Sequence, residues 1–436
     1  MYVSTFSPLQ TALSGVEAAQ AELDTTGENI TNENTAGYVT QTVNLTEAAP
    51  LGFADGSAPG ASVQLGTGVD IQSVTNNANQ YLDATVRTQT SASNAANTEQ
   101  SYLSLLQSSL NEPSSSGISS LMSGFWSAWN SLAATPTSSA AKQVVYDDGE
   151  QLAQALNALS QRMSTISGQA TTQFNSLTGT NGEVDVDAQQ IAQLNSAIRS
   201  ATSAGQNANV LIDQRNKAIS DLSTLATVSL TNNADGTVTV GFGDAASPLV
   251  SGTTVNWPQT ITSAAGGTLG AILNLTQAGG EIAQYSASLD GAAAALVSEV
   301  NSVAGLTTPF FSGTTAGTIA VAVTPAQVSA TSNPATSPGG NDVAVAEAAL
   351  SGGTADQTYQ SFVSSVGSGV QSAQNNQATQ SALLTAAQQQ QQSFEGVDLS
   401  QESTNMVMEQ RAYQASAQVM NAFSTMMDSL MTAIGA

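Results

Sequence analysis

The sequence predicts a mainly α protein with small β parts, whose N- and C-terminal helices pair in a coiled-coil-like core. Three observations carry this. Apolar residues recur every seven positions at both ends of the chain, helical stripes punctuated by Gly and Pro fill most of the middle, and alternating β-rich runs are few and short.

The N-terminal seam is Leu9, Val16, Leu23 and Ile30, with Phe6 and Leu13 beside it and Ala12 and Ala19 on the neighbouring rows. The C-terminal seam is Met406, Tyr413, Met420, Met427 and Ile434. Phe423 and Leu430 follow members of that row by three residues, Ala417 and Met431 by four. Two such seams at opposite ends of one chain imply that the termini meet. Burying a large apolar side chain gives roughly 1.5–3 kcal/mol, while ordering a residue costs about 1–2 kcal/mol of backbone entropy. A helix pair with this many Ala, Ser, Thr and Asn positions is close to break-even. The ends are therefore expected to be poorly ordered in a monomer and to order against neighbouring copies; an ordinary intramolecular coiled coil is the alternative.

Between the ends, residues 50–68 are rich in Gly, Pro, Ala and Ser and read as a loop, and 63–74 alternates as a short hairpin. Residues 79–110 are helical with Tyr102, Leu106 and Leu110 on one stripe, and Pro113 closes them. Residues 117–134 carry Leu121, Phe125, Trp126, Trp129 and Leu132, an aromatic cluster expected in a core. Further helices are expected over 142–177, 185–204 and 210–225. Runs 228–231 and 237–242 form a hairpin around Asp235-Gly236. Residues 269–303 return to helix, broken at Gly279-Gly280. Residues 307–340 hold Gly, Pro, Thr and Ser with one alternation at 319–323. Residues 341–350 and 355–394 are helical, with the glutamine run 388–392 as a solvated face.

The chain has 436 residues, a formal charge of −25, no Cys and no His. Absent Cys excludes disulfides, thiolate catalysis and structural zinc; absent His removes the commonest metal ligand and general base. Seven cations (Arg87, Lys142, Arg162, Arg199, Arg215, Lys217, Arg411) make no phosphate-binding surface, so nucleic acid is not an expected partner, and anionic membranes repel the chain. No stretch reaches 18 consecutive apolar residues, so no membrane insertion is expected. No basic-plus-apolar leader is visible, since the first cation is Arg87; export would need another route.

Catalytic candidates are weak. Asp147-Asp148 and Asp185-x-Asp187 could serve a glycosidase, but they read better as solvated helix acids and helix-start acids. Asn233-x-Asp235-Gly236 lacks the twelfth-position acid of a calcium loop. Gly266-Gly267-Thr268-Leu269-Gly270 has no following Lys and no βαβ context. Asn29-Ile30-Thr31 and Asn44-Leu45-Thr46 match the glycosylation sequon, a pattern frequent by chance. Asp213 and Arg215 read as a helix-surface pair worth under about 1 kcal/mol, with an intersubunit ion pair as the alternative. No catalytic residue, cofactor or metal is expected.

Ala12-Leu13-Ser14-Gly15 with Ala18-Ala19-Gln20 resembles the N-terminal helix of the bacterial flagellar axial proteins. Asn29-Ile30-Thr31-Asn32 and Asn34-Thr35-Ala36-Gly37-Tyr38 resemble that family's signature turn. Glu395-Gly396-Val397-Asp398-Leu399, Asn405-Met406 and Ala412-Tyr413-Gln414-Ala415-Ser416-Ala417 resemble its C-terminal helix. The middle is similar to the member at the junction of hook and filament. It carries Asn207-Ala208-Asn209-Val210-Leu211-Ile212-Asp213-Gln214-Arg215, the aromatic cluster with Pro136, and Asp235-Gly236-Thr237-Val238-Thr239-Val240. Pro248-Leu249-Val250-Ser251-Gly252, Gly267-Thr268-Leu269-Gly270, Glu299-Val300-Asn301 and Pro309-Phe310-Phe311-Ser312-Gly313 follow in the same order. Val39-Thr40 departs from the Ser-Arg that members often carry there, which puts any contact of that Arg in doubt.

The resemblance implies a terminal core domain of residues 1–48 with 396–436, a helical rod domain with β-hairpins of 49–303 with 341–395, and a short residual outer segment, 304–340, where relatives insert larger β domains. It implies a structural, non-enzymatic part of the extracellular flagellum, assembled helically between hook and filament. The implied partners are copies of the chain, the hook protein, the second junction protein (hook-associated protein 3), an export chaperone and the type III export apparatus. Another axial role, hook or distal rod, is the runner-up. A secreted adhesin or carbohydrate-active enzyme is the rival from a different class.

Overall fold

The computed structural model describes residues 7–54, 62–306 and 308–434. It is mainly helical with small antiparallel sheets, as the periodicity predicts. Helix α1 (Ser7–Thr31) leads into strands β1 (Gln41–Glu47), β2 (Leu51–Ala54), β3 (Ser62–Leu65) and β4 (Val69–Asn76). Helices α2 (Gln80–Leu110), α3 (Ile118–Ala134), α4 (Ser139–Thr178), α5 (Glu183–Ser203) and α6 (Asn209–Leu225) follow. Next come strands β5 (Val228–Asn232), β6 (Val238–Phe242), β7 (Val250–Ser251) and β8 (Thr254–Val255), then helices α7 (Gly267–Thr276) and α8 (Glu281–Asn301). Strands β9 (Phe311–Ser312) and β10 (Ala320–Val321) precede helices α9 (Asp342–Ala348), α10 (Thr354–Glu395) and α11 (Leu399–Ile434).

Local chemistry sets the helix ends. The Asn79 side chain accepts the N–H groups of Tyr81 and Leu82, capping α2. Asn111 stops it with φ 55°, the left-handed region that an asparagine tolerates. Ser138 caps α4 by accepting the Ala141 N–H at 3.2 Å. Gly279 and Gly280 separate α7 from α8, as expected.

Two cores fill the body. The larger joins α2, α3, α4, α8, α9 and α10 around Phe125, Trp126, Trp129, Phe310 and Phe311. Phe125 and Phe310 lie 5.4 Å apart between ring centroids, and Phe310 meets Phe311 edge-on at 4.8 Å. Gly149 in α4 makes room for them, since a Cβ there would lie 2.7 Å from the Phe310 ring. Residues 308–340 thus feed aromatic and aliphatic side chains (Ile319, Val323, Val328) into this core, and among the described residues their only strands are the two-residue β9 and β10. The smaller core packs α5, α6 and α7 on the sheet β5-β6-β7-β8.

Two sequence expectations are corrected. The hairpin read over 63–74 is not one. Instead β4 pairs with β1, with a register shift between Asn44 and Leu45, and β3 pairs with β2; from Leu45 outward one register runs on, with Glu47 opposite Val69, Ala48 N–H bonded to the Gly68 carbonyl and Leu51 opposite Leu65. The stretch 50–68 is accordingly not just loop. Gly68, at φ 104°, lies between β3 and β4 of this β-arm without reversing the chain, and residues 55–61 lie outside the described residues. The hairpin β5–β6 is present, with Val228 opposite Phe242, but β7 and β8 extend it to four strands. Strands of two residues leave no periodicity to read.

Candidate assembly interface

Helices α1 and α11 run against each other, and α1 also rests on β1 and β4. The contact side of α1 is not its row of large residues. It is a small and polar row: Ala12, Ala19 and Thr26 are buried, and Gly15 sits so close to Ser416 that a Cβ would meet its Oγ at 3.1 Å. Thr26 donates to Glu409 Oε1 at 3.0 Å across the pair. Leu9, Val16, Leu23 and Ile30 flank this row and stay half-buried, and Leu13 is 46% exposed. On α11, Met406, Met420, Phe423 and Met427 are half-buried toward α1, whereas Tyr413 and Leu430 are exposed. The Ile434 side chain and Phe6 lie outside the described residues. Large side chains were the visible signal; small residues at the same spacing carry the contact, because they let the backbones approach.

The interface also holds carboxylates. Glu402 is buried, and Glu22 and Glu409 face the seam half-buried. Burial pushes Glu22 up, and burial, with the neighbouring Glu22 and Glu402 charges, pushes Glu409 up against the pull of the Thr26 hydrogen bond. A second stripe on α11 lies about 100° round the helix from Glu409 and Ser416, which touch α1. Met408, Val419 and Met426 are exposed there, with Ala412, Ala415 and Ala422 between them.

The signature turn forms the joint between this pair and the body. Asn29 Nδ2 donates to the Gln41 carbonyl at 3.0 Å, Gln41 N–H returns to Asn29 Oδ1 at 2.9 Å, and Tyr38 Oη donates to that same oxygen at 2.8 Å. Burial and the Glu28 and Asp213 charges push the Tyr38 phenol up to about 12. Asn209 Nδ2 closes the network on Gln41 Oε1 at 2.9 Å and on the Val74 carbonyl at 3.0 Å. Asn29 is thus buried and bonded, the opposite of an exposed glycan acceptor. Thr40 donates its N–H and hydroxyl to the Glu395 carbonyl at 3.0 and 2.9 Å, and Glu395 Oε1 accepts the Asn79 N–H at 2.5 Å. Residue 40 therefore ties the N-terminal turn to the end of α10. A cleft of about 620 Å³ opens beside the joint, between residues 33–39, Asp83 and Arg87 of α2, Lys217 and Asp221 of α6, and Gln391 to Val397.

Asp213 and Arg215 are not paired. Asp213 accepts from Asn76 Nδ2 at 3.3 Å, and burial pushes it up to about 6. Arg215 is 6% exposed and donates through Nη1 to Asn195 Oδ1 at 3.1 Å and the Gly236 carbonyl at 2.9 Å. Side chains two apart on a helix point in different directions, which overturns the surface-pair reading, and its burial inside its own chain takes Arg215 out of an intersubunit pair. Asp185 sits in the first turn of α5 and accepts the Asn181 N–H at 3.1 Å, a helix-start acid. Among the described residues, no group of three or more acidic side chains is arranged to hold a metal ion, and no helix is long and apolar enough to cross a membrane.

Three family models match. Residues 103–265 match the flagellar hook-associated protein FlgK helical domain, 378–433 the flagellar basal body rod FlgEFG protein C-terminal segment, and 9–38 the flagella basal body rod protein segment. Flagellar hook-associated protein 1 of Bacillus subtilis (strain 168) is 30% identical over 233 residues, 53% of this chain and 45% of that one. The protein of that name from Salmonella typhimurium is 29% identical over 273 residues, 62% of this chain and 47% of that one. The chain spans about half the length of these curated relatives. The flagellar hook junction protein FlgK from Burkholderia pseudomallei aligns with a TM-score of 0.45 at 24% identity, over 52% of this chain and 44% of that one. The match to the FlgK helical domain thus lies between the matches to the two terminal segments of flagellar rod proteins, and over about half its length the chain is similar to flagellar hook-associated protein 1.

Proposed function

We propose that the chain is a structural, non-catalytic part of the bacterial flagellum that assembles helically as the junction between hook and filament. The observation that carries this is the terminal pair: α1 and α11 meet through small residues, their heptad rows stay only partly buried, and Leu13, Met408, Tyr413, Val419, Met426 and Leu430 are exposed. Such faces find cover against other copies, and head-to-tail contacts between copies generate rings or helical arrays. Residues 1–48 with 396–436 form the inner assembly domain, 49–303 with 341–395 the helical rod domain, and 304–340 the reduced outer segment. The assembly residues are Leu9, Val16, Leu23, Ile30, Met406, Tyr413, Met420, Phe423, Met427, Leu430 and Ile434.

The partners are further copies, the hook protein on one side and the second junction protein, hook-associated protein 3, on the other. The chain reaches the cell exterior through the type III export apparatus, with a chaperone gripping residues 406–434 beforehand. Electron microscopy of a deletion strain tests the role: cells should build hooks that bear no attached filament. Firmly attached filaments would refute it, and absent hooks would favour a hook or distal-rod role. Deleting residues 406–434 should abolish chaperone binding.

A further inference from the structure

Resting on that reading, the charge pattern of the terminal pair gives the register of its contact with the next copy. Arg411 is the only cation in α1 and α11 together, whereas α1 carries Glu17, Glu22, Asp24 and Glu28. Arg411 is exposed and forms no ion pair among the described residues. It stands beside the outward stripe of α11, within one helical turn of Met408 and Ala415. That stripe, Met408, Ala412, Ala415, Val419, Ala422 and Met426, is exposed and lies to one side of the face that meets α1 of its own chain.

The free side of α1 is the complement. Leu9, Leu13, Val16 and Leu23 form an apolar row spaced by three, four or seven, and Glu17 and Asp24, both exposed, lie one residue beyond Val16 and Leu23 on its outer edge. Glu22 is already turned into the seam with α11, and neither Glu17 nor Asp24 forms an ion pair among the described residues. One helix therefore offers an apolar stripe edged by a single cation, the other an apolar row edged by two anions. An ion pair at the edge of an apolar contact fixes register more than it adds affinity.

We propose that the outward stripe of α11 docks on the free row of α1 in a second copy of this chain, with Arg411 set against Glu17 and Asp24 of that copy. The contact joins unlike faces, so it propagates from copy to copy instead of closing a two-fold dimer.

Charge reversal tests this in the parent bacterium, with filaments per cell counted by electron microscopy and the chain present in culture fluid measured to show that each variant is made and exported. Arg411→Glu should lower attached filaments at least tenfold. Adding Glu17→Arg and Asp24→Arg should restore them to within threefold of wild type. The register is overturned if Arg411→Glu keeps its filaments, or if the triple variant stays as poor as Arg411→Glu alone. Val419→Asp separates this from the role itself. If it removes filaments while Arg411→Glu does not, copies pack through the stripe and only the register is wrong. If cells lacking the chain keep their filaments, the junction role falls as well.

Discussion

Asn29 and Gln41 are bonded to each other twice: the Asn29 amide donates to the Gln41 carbonyl at 3.0 Å and its oxygen accepts the Gln41 N–H at 2.9 Å. The side chain thus does for Gln41 what a neighbouring strand does for a residue in a sheet, and it anchors the start of the β-arm to the end of α1. Asn29→Ala would strand both buried groups and the Tyr38 hydroxyl. The expected cost is about 2–4 kcal/mol, measured as a lower denaturant midpoint with an unchanged slope.

Pairing of α1 with α11 should strengthen on acidification. Glu22 and Glu409 are both held above their ordinary 4.5 by burial. Below that value both are protonated with or without the pair, and the pairing free energy is complete; it is lost as pH rises through their raised values. Helical circular dichroism of the full chain should therefore rise between pH 7 and pH 4, and Glu409→Gln should shrink the change. A loss of helix over that range would contradict the assignment.

Glu347 of α9 is 0% exposed, and neither carboxylate oxygen has a hydrogen-bond partner among the described residues. Burial pushes it up to about 9 from 4.5, so it is folded as the neutral acid at pH 7. Keeping that proton costs about 3 kcal/mol at pH 7, a penalty absent below pH 4 and growing until the raised value is passed. Glu347→Gln, already neutral, should be more stable than wild type by about that amount at pH 7 and equal to it at pH 4. Thermal unfolding at the two pH values reads both.

Amide hydrogen exchange on dilute monomer should find α1 and α11 the least protected of the long helices. Their contact buries Ala12, Ala19 and Thr26, while α4 buries Leu152, Leu156, Leu159 and Met163. Protection should appear in both on assembly. Terminal amides as protected as those of α4 in the dilute chain would overturn the expectation.

Much of the body was legible because it follows strong periodicity. The stripe around Leu106, the aromatic run Phe125–Trp129 and the breaks at Pro113 and Gly279-Gly280 mark their helices in residue types alone. The β-arm was misread because β4 finds its partner in β1, with Glu47 opposite Val69, and pairing across more than twenty residues leaves no mark in a local alternation. At the interface, the heptads correctly point to paired ends, but which row makes contact depends on how closely two backbones approach. Ala12, Gly15 and Ala19 decide that, and small residues do not announce themselves in a hydrophobic pattern. The burial of Arg215 was invisible for a similar reason: its acceptors, Asn195 and the Gly236 carbonyl, come from distant segments.

Glu395 has a mechanical consequence. It holds Thr40 through its carbonyl and Asn79 through its carboxylate, at the last residue of α10 and three residues short of the C-terminal helix. A pull along that helix reaches this point and divides, part flowing into the β-arm and part into the head of α2. Tension is shared between two anchorages in parallel, so α10 is not unzipped from its end.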